Sequence, residues 1–347
     1  MKRYKHLFEQ VCSFENLYAA AKKALKGKRG KRPGSSFFAN MEEEIITLQN
    51  ELLSEIYRHG EYNYFLIHEP KKRTVAAAEF RDRVVHHAII RVIEPLYEKR
   101  FIEDSYACRI HKGTHAGMQR AAYYTRRFTY ALKCDIRKYF AHIDHEILMR
   151  LFAKVIGDQR LLELLEHIID SHADGWRLIV SEGELPLFDG HLIRRGLPIG
   201  NLTSQFSANV YLNPLDHFVK HELRCKGYVR YMDDFLLFSN DKEQLRDWGC
   251  SIRKKVDSLR LNIHPDKYHL LRCEYGVDFC GFVVFDDGRI RVRRTTARRF
   301  HKRFRHKLKA VNNRTGDIAS LSRSVAAWVG HVKHAQSWNL RKAVLCG

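Results

Sequence analysis

Two adjacent carboxylates, Asp233 and Asp234, stand between the apolar and aromatic runs Val229-Arg230-Tyr231 and Phe235-Leu236-Leu237-Phe238. Both runs read as short strands, which puts Met232-Asp233-Asp234 at or near a tight hairpin turn. Ionised neighbours repel, and holding them at the end of a buried sheet costs stability unless a cation neutralises them. Mg²⁺ suits that role, because it takes oxygen ligands and tends to bring phosphates with it. A solvated turn is the plainer alternative, and for the acidic pair alone the two readings weigh about equally.

A second acidic centre closes Tyr130-Ala131-Leu132-Lys133-Cys134-Asp135, an apolar run that predicts a buried strand ending in a carboxylate. Asp144 heads Asp144-His145-Glu146 as a helix cap does, so capping is preferred to ligation there. Lys71, Arg73 and Arg81 follow the predicted strand 64–69 and would suit a triphosphate, which Lys and Arg neutralise. Gly196 and Gly200 flank Leu197-Pro198-Ile199 and permit close approach of backbone to a ligand. Ser204 and the helix beginning beside it offer a positive end to a phosphate.

The elements that must position these groups follow from periodicity. Residues 1–25 predict a helix, and 26–36 a basic Gly/Pro/Ser loop. Residues 42–59 predict an amphipathic helix with Ile45, Leu48, Leu52 and Ile56 on its inner face. Asp82 is expected to cap a helix carrying Val85, Ile89, Val92, Ile93 and Leu96 inward. Residues 148–172 read as one long helix, 176–193 as a loop or hairpin, and the segment from Arg195 leads into a helix that begins near Ser204 and runs to about Leu223. A helix over 242–261 buries Leu245, Trp248, Ile252, Val256 and Leu259, and 277–285 reads as an apolar strand broken by Gly281. Arg293–Val311 is the most basic stretch, with Phe300, Phe304, Leu308 and Val311 at helical spacing. A membrane-surface helix shares that pattern; nucleic-acid phosphates are the preferred partner. Residues 321–340 predict a helix pair. Its His331 and His334 have a core reading preferred to metal ligation, for lack of a Cys or carboxylate partner at suitable spacing, and His115 reads as a cap or a core histidine.

Composition agrees with a polyanionic partner. The 347 residues carry 61 Lys+Arg against 40 Asp+Glu, a formal charge of +21, which favours nucleic acid and makes affinity fall with salt. No apolar run approaches the roughly 18 residues that span a bilayer, and the first residues lead into no apolar signal core. Cys12, Cys108, Cys134, Cys225, Cys250, Cys273, Cys280 and Cys346 show no Cys-x-x-Cys spacing, so they read as small hydrophobes in a reducing cytosol rather than a zinc site.

Taken in chain order, these segments resemble reverse transcriptases. Tyr231-Met232-Asp233-Asp234 resembles their metal-binding hairpin, and Lys71-x-Arg73 followed eight residues later by Arg81-Asp82-Arg83-Val84-Val85 resembles the fingers motifs of intron-type enzymes. Tyr106-Ala107-Cys108-Arg109 leading to Lys112-Gly113 continues the likeness. The resemblance implies a third metal ligand at Asp135, with Ile136 among the metal-binding positions, and two Mg²⁺ ions for which Mn²⁺ can substitute. It implies an aromatic steric gate at Phe140, five residues after Asp135, and hence deoxynucleotide substrates. Lys71, Arg73, Arg81, Ile199, Gly200 and Gln205 would meet the nucleotide or template. Lys267 would protonate pyrophosphate, with a solvated loop lysine as its even-weighted alternative. Cys280 and Gly281 would grip the primer, and Arg293, Arg294, Arg298, Arg299, Lys302 and Arg303 would track the RNA–DNA duplex.

The implied fold is α+β, a right-hand polymerase. An N-terminal helical region (1–60) precedes fingers (61–130), a first part of the antiparallel-sheet palm (131–160), helices and an insertion loop (161–196), the rest of the palm (197–288) and a helical thumb (289–347). Where most reverse transcriptases carry Gln-Gly-x-x-x-Ser-Pro, this chain has Ile199-Gly200-Asn201-Leu202-Thr203-Ser204-Gln205. That departure resembles the enzymes of diversity-generating retroelements, bacterial or phage-encoded cytoplasmic proteins. They copy a template-repeat RNA into adenine-mutagenised cDNA for retrohoming into target DNA, with a small basic pentameric accessory protein. Retron, group II intron and defence-associated reverse transcriptases of ordinary fidelity are the alternative, as is a non-catalytic RNA-binding protein that keeps a polymerase shell.

Overall fold

The computed structural model describes residues 3–26, 37–68, 72–172 and 194–346. Expectations for Lys71, the basic loop after Lys26 and the segment 176–193 fall on residues outside that set. Contacts divide the chain into two compact units, each assembled from separated stretches. One takes residues 1–102, 137–216 and 255–262; the other takes 103–136, 217–254 and 263–347.

The first unit is mainly helical. Helices Phe8–Cys12 and Phe14–Leu25 pack with Met41–Leu53 and Phe80–Glu98, burying Val11, Leu17, Ile45, Leu48, Leu52, Val84, Ile89 and Ile93 completely or nearly so. The helix expected over 42–59 stops at Leu53, and Ile56 beyond it is 63% exposed rather than inward. Val92 and Leu96 are only half-buried. Asp82 is not the cap of its helix, where Glu79 stands; it is buried within the first turn, accepting from Tyr57 Oη at 2.7 Å and Gly60 N at 3.1 Å. The single helix expected over 148–172 is two, His145–Ala153 and Gln159–Asp170. Asp158 interrupts it, because its carboxylate caps Leu161 N and also accepts Leu7 N and Phe8 N. Asp144 caps Ile147 N as expected. Strands β1 (Asn63–Ile67) and β2 (Arg73–Ala77) form an antiparallel ribbon, and helix Leu202–His217 continues as a π-turn to Glu222, close to the expected end.

The second unit holds a four-stranded antiparallel sheet of β3 (Tyr130–Asp135), β4 (Gly227–Tyr231), β5 (Asp234–Ser239) and β6 (His269–Arg272), in the order β4-β5-β3-β6. Neighbouring β4 and β5 are rich in Val, Leu, Phe and Tyr and nearly all buried, whereas central β3 alternates buried and half-buried residues. The expected strand over 277–285 is instead a hairpin, β7 (Val277–Phe279) and β8 (Phe282–Val284), extended by β9 (Ile290–Val292). Cys280 and Gly281 are its turn, so the glycine ends a strand rather than interrupting one. Helix Thr114–Thr125 joins this hairpin and the sheet in one core with Met118, Val229, Leu236, Phe279 and Phe282. The basic helix Arg294–Asn312 packs on Ile318–Val332 and Trp338–Leu345 through Phe300, whose ring lies parallel to that of Trp328 at 4.2 Å.

Candidate polymerase site

Register brings the acidic residues together. Asp135 ends β3 opposite Asp234, the first residue of β5, so their Cβ atoms share one face of the sheet. Asp233 lies in the two-residue turn between Tyr231 and Asp234, and its carbonyl accepts Ile136 N at 3.2 Å, tying the turn to the end of β3. Two lysines answer the charge. Lys267, on a short 3₁₀ turn after His264, reaches Asp135 Oδ2 at 2.6 Å. Lys133, two residues before Asp135 and so on the same strand face, lies 3.7 Å from Asp234 Oδ2 and donates to the Asp278 carbonyl at 2.7 Å.

The charge is incompletely balanced. Burial pushes the Asp234 carboxyl up to about 7; Lys133 opposes this while Asp135 and Asp233 add to it. Asp234 Oδ1 is buried with no hydrogen-bond partner among the described residues. A hard divalent cation fits that excess of carboxylate oxygen. Among the described residues no three Asp, Glu, His or Cys side chains stand in a chelating arrangement.

A second group of candidates lies in the first unit, around a pocket of about 360 Å³ that holds Phe140 and Ile199 with Thr74, Lys138 and Arg195. Phe140 sits on the short helix Tyr139–His142. Ile199 is stitched to β2: its carbonyl accepts Ala76 N at 2.9 Å, and Asn201 donates to Ala76 O at 3.1 Å. Gly200 has φ 121°, and a Cβ there would stand 2.6 Å from Val75 Cγ1, so no larger residue fits. Gln205 is half-buried in the first turn of Leu202–His217 and outside the pocket lining.

The basic candidates divide. Arg73 is exposed at the start of β2, whereas Arg81 is ion-paired with Glu51. Arg293 pairs with Asp278 rather than standing with the helix that follows. Arg294, Arg298, Lys302 and Arg303 are exposed along Arg294–Asn312, with Arg299 half-buried. The expected bland reading of the histidines meets an aromatic stack: the rings of His115 and His334 lie 3.7 Å apart, and His331 packs on Phe282.

Lys133, Lys138 and Arg195, which lie beside these candidates, were given no part in the site by sequence reading. A period-two reading of β3 back from Asp135 would have found Lys133. Lys138, between Asp135 and Phe140, and Arg195, beside Gly196, carried only a positional hint.

The reverse transcriptase (RNA-dependent DNA polymerase) family profile matches residues 67–284. The chain is 24% identical to Protein YkfC of Escherichia coli over 326 residues, 80% of this chain and 82% of that protein. It is 26% identical over 149 residues to the group II intron-encoded protein LtrA of Lactococcus lactis, and 29% identical over 87 residues to nuclear intron maturase 1 of Arabidopsis thaliana. These alignments cover 43% and 25% of this chain but only 23% and 12% of those longer proteins. A mixed helical and antiparallel-sheet fold that carries this profile defines a template-directed polymerase. The chain belongs to the reverse transcriptase family and is an RNA-directed DNA polymerase. The family uses an RNA template, dNTPs and divalent metal ions. Among the described residues no helix is long and apolar enough to cross a membrane.

Proposed function

We propose that the chain is the reverse transcriptase of a diversity-generating retroelement, with Asp135, Asp233 and Asp234 as its metal-binding carboxylates. The observation that carries the catalytic assignment is the pairing of Asp135 with Asp234 at the sheet end, beside the Asp233 turn. Two Mg²⁺ ions held there, mainly by Asp135 and Asp233 with Asp234 in support, would activate the primer 3′-hydroxyl and neutralise triphosphate charge. Lys267, held at Asp135 in the free protein, would donate a proton to the departing pyrophosphate. Phe140 would exclude a 2′-hydroxyl by contact. The exposed arginines and lysines of Arg294–Asn312 would follow duplex phosphates as a thumb helix, and Cys280 and Gly281 would meet the primer end.

The subtype rests on Ile199 and Gln205. Isoleucine shares a pocket with Phe140 and carries no side-chain hydrogen-bond donor. A glutamine there would hold the nucleotide sugar and favour only a well-placed base pair. Loss of that restraint is the proposed source of errors at adenine. A template-repeat RNA and a basic pentameric accessory protein belong to the same reading. The competing reading, an intron-type enzyme of ordinary fidelity, draws on the similarity to LtrA.

Primer extension on a template RNA with Mg²⁺ and dNTPs, followed by cDNA sequencing with and without the accessory protein, separates the two. Misincorporation concentrated opposite adenine, and reduced by Ile199→Gln, is the expected result. Errors spread evenly over the four bases would leave the intron-type reading.

A further inference from the structure

Arg230 lies in β4, two residues before Met232, and is wholly buried. Its guanidinium donates through Nη1 to the Met232 carbonyl at 2.9 Å and through Nη2 to Ser105 Oγ at 3.0 Å. The backbone on either side is clamped as well: Arg230 N donates to Asp104 O, and Tyr106 N to Arg230 O, each at 2.9 Å. Taking a guanidinium out of water is costly, and a strand position that only filled space would be served by an aliphatic residue. The acceptor it holds is also unusual. Met232 has φ 57°, a left-handed conformation that is uncommon and costly for a residue with a side chain.

We propose that Arg230 is a positioning residue for DNA synthesis: its buried fork fixes the Met232 carbonyl, and through the turn it sets the direction of the Asp233 and Asp234 carboxylates. The inference rests on the reading that this turn is catalytic. Two acceptors in two directions suit a planar guanidinium; a lysine, with one ammonium, cannot reproduce both contacts in the same geometry.

The test compares Arg230→Lys with the native chain by amide hydrogen exchange of the metal-free protein and by steady-state primer extension on an RNA template. Exchange over 231–235 should quicken by about tenfold, while the β7–β8 hairpin is unchanged. The kcat should fall by about 10–100-fold with KM for dNTP and duplex affinity nearly constant, as misplacement of a reacting group predicts. Unchanged exchange at the turn, or an unchanged kcat, overturns the proposal. If Arg230→Lys does not fold, Ser105→Ala removes one contact of the fork and should show the same pattern at smaller size; native exchange and kcat in that variant overturn it equally. Asp233→Asn is assayed alongside. Should it keep synthesis, the catalytic reading of the turn fails and the positioning role with it. Should it be inactive while Arg230→Lys is fully active, only the positioning role fails.

Discussion

Two of the hairpins in the second unit have turns of equal length and different support. In the β7–β8 turn both residues are left-handed, Cys280 at φ 51° and Gly281 at φ 87°, the form whose twist matches the strands it joins. Glycine takes that conformation freely, so half of the turn is specified by its own residue. The β4–β5 turn has no glycine. Met232 is left-handed there, at a cost of about 1–2 kcal/mol, and its carbonyl is held by Arg230. One turn is set in part by local chain preference at Gly281, although Cys280 beside it is left-handed too and the Gly281 carbonyl accepts Arg293 N at 3.0 Å. The other is maintained by a buried cation that also reaches Ser105, 125 residues away in sequence. Strain kept in place by distant packing is expected where two carboxylates must be held against their own repulsion.

The largest expected difference between the turns is chemical. Asp233→Asn should reduce DNA synthesis in a primer-extension assay by about 10³-fold or more, because the carboxylates act as a unit, while RNA affinity is retained. Undiminished synthesis would remove the active-site assignment. Stability should separate the turns in the opposite sense. Gly281→Ala forces a Cβ into a left-handed position and should cost about 1–2 kcal/mol in urea unfolding. Met232→Gly relieves such a position and should be neutral or stabilising by less than about 1 kcal/mol. Equal losses at both sites would show that the turns do not differ in the way described.

A smaller effect concerns pH. In the metal-free protein the Asp234 carboxyl is raised from the ordinary 3.8 to about 7, chiefly by burial. The folded state therefore binds more protons than the unfolded chain between those values, and this group's contribution to stability is lost as pH rises from about 4 through about 7. Asp234→Asn should flatten that slope and raise the thermal midpoint at pH 8 by about 2–4 °C, the size expected for about 1 kcal/mol. The β7–β8 variants should leave the slope unchanged. A slope that persists in Asp234→Asn would place the uncompensated charge elsewhere.

Sequence reading served the carboxylates well and their counter-charges poorly. Strands β3, β4 and β5 were legible because each is a mainly apolar run, broken only by Lys133 in β3 and Arg230 in β4, and Asp135 and Asp234 mark the ends of β3 and β5. Lys267 had an even chance of being a solvated loop residue; its 2.6 Å contact with Asp135 depends on β3 and the 3₁₀ turn after His264 meeting across a separation of 132 residues. Arg81 and Arg293 read as free phosphate contacts, yet Glu51 and Asp278 take them. Such pairings are matters of proximity, which residue spacing does not encode. The helix over 148–172 failed for a related reason: the pattern stays apolar through the break, and Asp158 ends it by capping one helix while accepting two backbone amides from the N-terminal segment.

Taken alone, the sequence determined the element types, the basic character of the chain, the positions of the acidic pair and the third aspartate, and the family they belong to. These are written in local periodicity, composition and short motifs, which need no knowledge of what packs where. Only the tertiary structure decided that Asp234 rather than Asp233 faces Asp135 in register, that Lys133 and Lys267 answer them, and that Ile199 shares a pocket with Phe140. It alone decided that a buried arginine holds the Met232 turn. Each of these depends on strand register or on contacts between residues far apart in the chain, and burial sets their strength by removing the water that would otherwise screen them.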